Sequence, residues 1–202
     1  MTADGKAFAA LMAHLKEVDG GQNTVIGVQV ENETGLLGSA RDRSDAADAA
    51  FAAPVPEGLA AFLRAHPDWL DPDLAQAVAA GAEQGSWAEV FGAGAEELFS
   101  AYYTARYLDT VARQGKAAYP LPMFANCWLV HKGDKPGDYP SGGPVARVRG
   151  VWRFAAPTLD VLGPDIYVPE FLQVCDEYTR DGSPLFIPEA ATHAYAAPRL
   201  AY

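Results

Sequence analysis

The sequence predicts an α/β fold: parallel strands arranged as part of a (β/α) barrel. Three observations carry this. Four apolar runs, at 24–31, 123–130, 159–162 and 184–187, alternate with helical stretches. Strands alternating with helices imply parallel pairing with crossover connections. The first run, TVIGVQVENETG, opens apolar and mostly β-branched, like a buried parallel strand, and ends in Glu31-Asn32-Glu33. Polar residues also collect where each run ends: Glu31, Asn32 and Glu33; Asn126 and Trp128; Asp165 and Tyr167; Glu189. In a barrel of parallel strands those ends converge on one face.

The chain has 202 residues, enough for one domain with a sizeable core. Half of them are hydrophobic and 11% aromatic, which excludes a disordered chain. A formal charge of -11 argues against a nucleic-acid or anionic-membrane partner. No run approaches the ~20 apolar residues of a membrane span. The start, MTADGK, carries no signal-peptide core. Cys127 and Cys175 read as unpaired buried thiols.

Residues 6–18 read as a helix, with Phe8, Leu11, Met12, Leu15 and Val18 on one stripe. Asp19-Gly20-Gly21 ends it, and the first strand follows. Residues 35–92 form a connection far longer than the usual ~2–6 residues. It is expected as a lid-like, partly helical insertion over the end of that strand, with helices at 57–65 and 72–82. Ser86 is placed to cap a further turn carrying Trp87, Val90 and Phe91. The charge cluster at 41–45 reads as a solvated loop. The longest helix is expected at 94–115, with Gly115 as its C-cap. Shorter helices are expected at 145–156 and 168–180. The tail, 191–202, shows no clear period.

Two acids at a strand end gain nothing from folding, because an unpartnered buried charge costs several kcal/mol. They stand in water or they have a task. Carboxylates facing one another across a polar pocket suit glycoside hydrolysis, with one as proton donor and the other as nucleophile or base. Asn126 and Trp128 suit a sugar, through amide hydrogen bonds and stacking on a C–H face. They equally suit a satisfied polar residue beside a core aromatic. Three acids and an Asn are a calcium- or magnesium-type donor set, but no compact D-x-D-x-D pattern is present. His14, His66, His131 and His193 have no zinc-ligand spacing. Ser141 lies in no G-x-S-x-G elbow, and neither cysteine has a His partner evident in sequence. No phosphate-cradling glycine motif occurs. No cofactor or metal is expected.

VIGVQVENETG (25–35), YPLPMFANCWL (119–129), PDIYVPEF (164–171) and PLFIPEA (184–190) resemble four segments of the glycoside hydrolase family 35 β-galactosidases. They look like that family's fourth, fifth, sixth and seventh strands, in order, and the likeness runs from about residue 5 to 190. The Asn-Glu pair is shared across a whole clan of barrel hydrolases. The four segments together are more specific.

The resemblance implies a partial (β/α)8 TIM barrel of four parallel strands with outer helices, spanning 1–202. It implies a retaining β-galactosidase acting on terminal β-D-galactosides. Glu33 matches the acid/base and Glu189 the nucleophile. Asn32 matches the residue binding the sugar 2-hydroxyl, and Tyr167 a tyrosine near the nucleophile. Glu31, Asn126 and Trp128 complete the expected saccharide-binding set. Segments resembling the first three strands and the eighth are missing. The chain is therefore expected to be an incomplete catalytic domain, a sugar-binding remnant without turnover, or a half-barrel joined to another copy through its exposed edges.

Overall fold

The computed structural model describes residues 2–191. Helix α1, Ala3–Asp19, starts at Thr2, whose hydroxyl accepts the Gly5 N–H at 3.1 Å. Asp19 then accepts the backbone N–H groups of Thr24 and Val25, at 3.0 and 2.9 Å, and so turns the chain into β1, Val28–Gln29. The Val25 N–H, more than any other contact, holds the Asp19 carboxyl below its usual range.

Between β1 and the next strand lie five helices: α2, Asp45–Ala52; α3, Leu59–Ala65; α4, Pro72–Ala80; α5, Trp87–Phe91; and α6, Ala95–Ala118. Ser44 caps α2, accepting from the Ala47 N–H. Ser86 and Glu89 form a reciprocal capping box on α5. The segment 35–92 packs inward: Leu59, Leu63, Leu74, Val78, Trp87 and Phe91 all join the main core. Helix α6 runs through that core, burying Leu98, Ala101, Ala105, Leu108, Val111 and Ala112 at spacings of three and four. It continues past Gly115 to Ala118, so Gly115 is not its C-cap. An added Cβ there would lie 2.4 Å from the Phe8 ring of α1, so this glycine lets the two helices approach.

Strand β2, Met123–Cys127, lies at the centre of the sheet. After it come a short 3-10 turn, α7 (Arg149–Ala155), β3 (Val161–Pro164) and α8 (Phe171–Thr179). The sheet order is β1-β2-β3 and both pairings are parallel. Val28 pairs with Met123, and Asn126 with Gly163.

The expected partial TIM barrel of four strands is not formed. The described residues make a mixed α/β structure with one open, three-stranded parallel sheet. Residues 184–187 run beside β3, with the Phe186 ring 4.6 Å from that of Phe124, but form no strand. Pro184 and Pro188 bracket the segment and remove two ladder N–H groups. Among the described residues, one isolated parallel bridge, Ile166 to Ala190, links this region to the end of the sheet. The first strand also shrinks from 24–31 to two residues. Asp19 takes the N–H groups at its start, and Glu31 turns to φ 60° at its end. The third strand sits two residues later than predicted, because the Asp160 carboxylate takes the Met123 N–H at 2.7 Å and so removes a ladder donor ahead of it. Among the described residues no helix is long and apolar enough to cross a membrane.

The cluster 41–45 is only in part a solvated loop. Arg41 is 6% exposed, paired with Asp48 at 2.6 Å and lying 4.3 Å over the Phe51 ring.

Candidate active site

The site begins where β1 stops. Val30 is buried, and Glu31 and Glu33 then take left-handed backbone angles, φ 60° and 41°. Such angles are unfavourable for residues with a Cβ and persist only where surrounding contacts impose them. Those contacts come largely from one side chain. Asn126, on β2 and 1% exposed, accepts the Glu33 N–H at 3.0 Å through Oδ1. Its Nδ2 donates to Asn32 Oδ1 at 3.0 Å and to Asp165 Oδ2 at 2.8 Å. Gln29 adds a second donor to Asn32 and one to the Glu31 carbonyl, both at 3.0 Å. The β1 end, the β2 end and the residue after β3 are thereby locked together.

A cleft of about 370 Å³ opens beside this knot. It is lined by Glu33, Trp128, Leu129, His131, Asp165, Tyr167, Val168 and Glu189. The two glutamates expected to act together share it. Tyr167 donates its hydroxyl to Glu189 Oε2 at 2.8 Å. That bond is the main reason its phenol titrates above the usual range. Trp128 and Tyr167 are 41% and 57% exposed and leave one wall of the cleft open to solvent. Past Leu129, His131 and Val168 the cleft runs into a groove of about 670 Å³, bordered by Lys132, Arg147, Glu170 and Tyr178 among others.

Not every expected residue lines this cleft. Asn126 lies beneath it with both amide groups committed. Asn32 is exposed and holds the turn through its side-chain oxygen. Glu31 is exposed and acts on Tyr107 of α6. Burial, with Asp4 and Glu31, pushes the Tyr107 hydroxyl up to about 12.

In the sequence Asp165 is only a strand-end acid, yet it sits inside the cleft at 3% exposure. Burial, then the charge of Glu189, then Glu33, push its carboxyl up to about 7, against the Asn126 hydrogen bond that favours its ionised form. The signal was its place one residue past β3, where a carboxylate has no structural reason to be.

The remaining groups offer little chemistry. Cys127 meets the Tyr178 hydroxyl at 2.5 Å, and burial pushes its thiol far up, so it stays protonated. Among the described residues no group of His, Cys, Asp and Glu is arranged to hold a metal ion. What the cleft can do is acid–base and carboxylate chemistry on a small polar molecule. No family model and no curated protein matches the chain.

Proposed function

We propose that the cleft hydrolyses glycosides with retention of configuration, acting on terminal β-D-galactosides. The observation that carries this is that Glu33 and Glu189 line one cleft, with a tyrosine hydroxyl on Glu189. A retaining reaction needs two such carboxyl groups, about 5–5.5 Å apart, one to give a proton and one to attack the anomeric carbon. Glu189, which accepts from Tyr167, takes the nucleophile's part, since a donated hydrogen bond favours a carboxylate. Glu33, fixed by Asn126, takes the acid's part and later acts as base on water. Trp128 offers an exposed indole face for the sugar, and the adjoining groove has room for the leaving group. The galactoside preference rests on the resemblance of 25–35, 119–129, 164–171 and 184–190 to the family 35 segments.

The test is hydrolysis of a chromogenic β-galactoside by the full chain, with the anomer first released identified by NMR. Glu33→Gln and Glu189→Gln should each lower the rate by about 10²–10⁴-fold or more. Turnover that survives Glu189→Gln removes it as nucleophile. A second reading, saccharide binding without turnover, is favoured by the open wall at Trp128 and Tyr167, because water excluded from a site strengthens its electrostatics. Galactose-dependent shifts of the Trp128 resonance without product formation support that reading.

A further inference from the structure

We infer that Asp165 stands in the cleft as a neutral carboxylic acid at neutral pH, a positioning residue whose Oδ1 hydroxyl donates to the Glu33 carboxyl group. The role in catalysis rests on the glycosidase reading above; the placement of the proton does not.

Asp165 Oδ2 accepts from Asn126, whose own Oδ1 is taken by the Glu33 N–H. Asp165 Oδ1 is buried and has no donor among the described residues. A buried carboxylate oxygen without a donor is unfavourable, whereas a hydroxyl there needs only an acceptor. Acceptors are what surround it. Glu33 faces it from the end of β1 and Glu189 from the segment after α8. Cys127 and Tyr167 also feel its charge, Cys127 as a protonated thiol and Tyr167 as a hydroxyl committed to Glu189. His131 lines the same cleft, and no Lys or Arg does among the described residues.

Three carboxyl groups in one cleft with no fixed cation cannot all ionise at low energy, so at least one retains a proton. Asp165 is the most enclosed of the three and the one with an unmet oxygen. Of the two glutamates, Glu33 acts on it by hydrogen bonding as well as by charge, while Glu189 acts by charge and already accepts from Tyr167. The Asp165 hydroxyl therefore belongs on Glu33. It steadies the Glu33 carboxylate in the state that follows proton donation to the leaving group.

The sign of the pH dependence follows. Below the Asp165 value of about 7 the hydroxyl is present; above it a third negative charge enters the cleft and the donor is lost. Carboxyl-carbon NMR titration of the full chain, labelled at aspartate, reads this directly. The Asp165 midpoint should lie near neutrality and fall by about one pH unit or more in both Glu33→Gln and Glu189→Gln. A native midpoint below about 5 overturns the inference. Assignment comes from Asp165→Asn or, if that variant does not fold, from backbone correlations in the native chain.

The rate profile is the second readout. Asp165→Asn keeps a donor that cannot ionise, so the alkaline limb of kcat/KM should move up by about one pH unit, while Asp165→Ala should lose the limb and most of the rate. An alkaline limb in Asp165→Asn that stays where the native limb lies overturns the positioning role. A near-neutral midpoint without hydrolysis keeps the proton on Asp165 and rejects the glycosidase. Hydrolysis with an Asp165 midpoint in the ordinary range does the reverse.

Discussion

Asn126 accepts the Glu33 backbone N–H at 3.0 Å, across a sequence separation of 93 residues. A side chain of the central strand thus fixes the backbone of the residue expected to handle the proton. Asn126→Ala leaves that N–H, and Asp165 Oδ2, without this partner. Each loss is worth about 1–3 kcal/mol in a buried setting. Urea denaturation should show a combined loss of about 2–6 kcal/mol, and the left-handed turn at Glu31 and Glu33 should relax with it. Asn126→Asp should do worse, because a new carboxylate would face Asp165, and its deficit should grow as pH rises.

Tyr167 tests the site without testing the fold. It is more than half exposed, and its hydroxyl bonds only Glu189 among the described residues. Tyr167→Phe should change unfolding free energy by no more than ~0.5 kcal/mol. On the proposed reading, hydrolysis should fall on the order of 10²-fold, the usual consequence of removing one preorganised donor. Matched denaturation curves and initial rates decide it. Unchanged rates would separate Tyr167 from the reaction.

Beneath α7 lies a charge pair that should set acid stability. Arg149 and Asp181 are both buried and meet at 2.6 Å, with the guanidinium 5.0 Å over the Tyr178 ring. Burial opposes ionisation of Asp181, but hydrogen bonds from Ser183 and Arg149, with the Arg149 charge, outweigh it and hold the carboxyl well below its usual range. A depressed value contributes stability above the unfolded carboxylate range of about 4, and that contribution is lost as pH falls through the folded value. Unfolding free energy should therefore decline below about pH 4. Asp181→Asn should be flatter there but less stable at pH 7. Arg149→Ala should lose less than the ~3–5 kcal/mol of a stranded buried charge at pH 7, because Arg153 still pairs with Asp181 at 3.1 Å.

The site was more legible than the fold. Glu33, Tyr167 and Glu189 could be placed together because strand-end polarity is local: a carboxylate after an apolar run stands out in one dimension. Asp165 carried the same mark, but its importance comes from burial, which depends on what the rest of the chain covers. The sequence predicts a fourth strand because an apolar run looks alike whether or not it pairs. Residues 184–187 have the run but also flanking prolines, and 24–31 has its first N–H groups taken by Asp19. The inward packing of α3, α4 and α5 is not legible in the sequence for a related reason. Their apolar residues complement α6 and α7, a match that no single segment displays. Arg41 is hidden in a charged cluster, because its burial over Phe51 and its contact with Glu96 at the start of α6 depend on the fold, although Asp48 lies near in sequence.

Gly115 shows how the long helix and the first helix meet. An added Cβ would come within 2.4 Å of Phe8 and 3.0 Å of the Met123 methyl. Two effects then oppose each other in Gly115→Ala. Alanine favours a helix interior over glycine by about 1 kcal/mol. Overpacking a fitted contact costs about 1–3 kcal/mol. The clash is with a ring fixed on α1 and comes from two sides, so destabilisation by about 1–2 kcal/mol should win. Phe8→Ala removes the ring and loses stability on its own by leaving a void at the α1–α6 contact. In the Phe8→Ala background, Gly115→Ala should lose most of its penalty and become neutral or stabilising, since only the flexible Met123 methyl must give way against the propensity gain. The coupling between the two changes should be about 1 kcal/mol or more, as residues in contact show. Chemical denaturation of the four proteins measures it. Additive changes would mean that α1 shifts as a body to admit the methyl group, and that Gly115 does not set the helix separation.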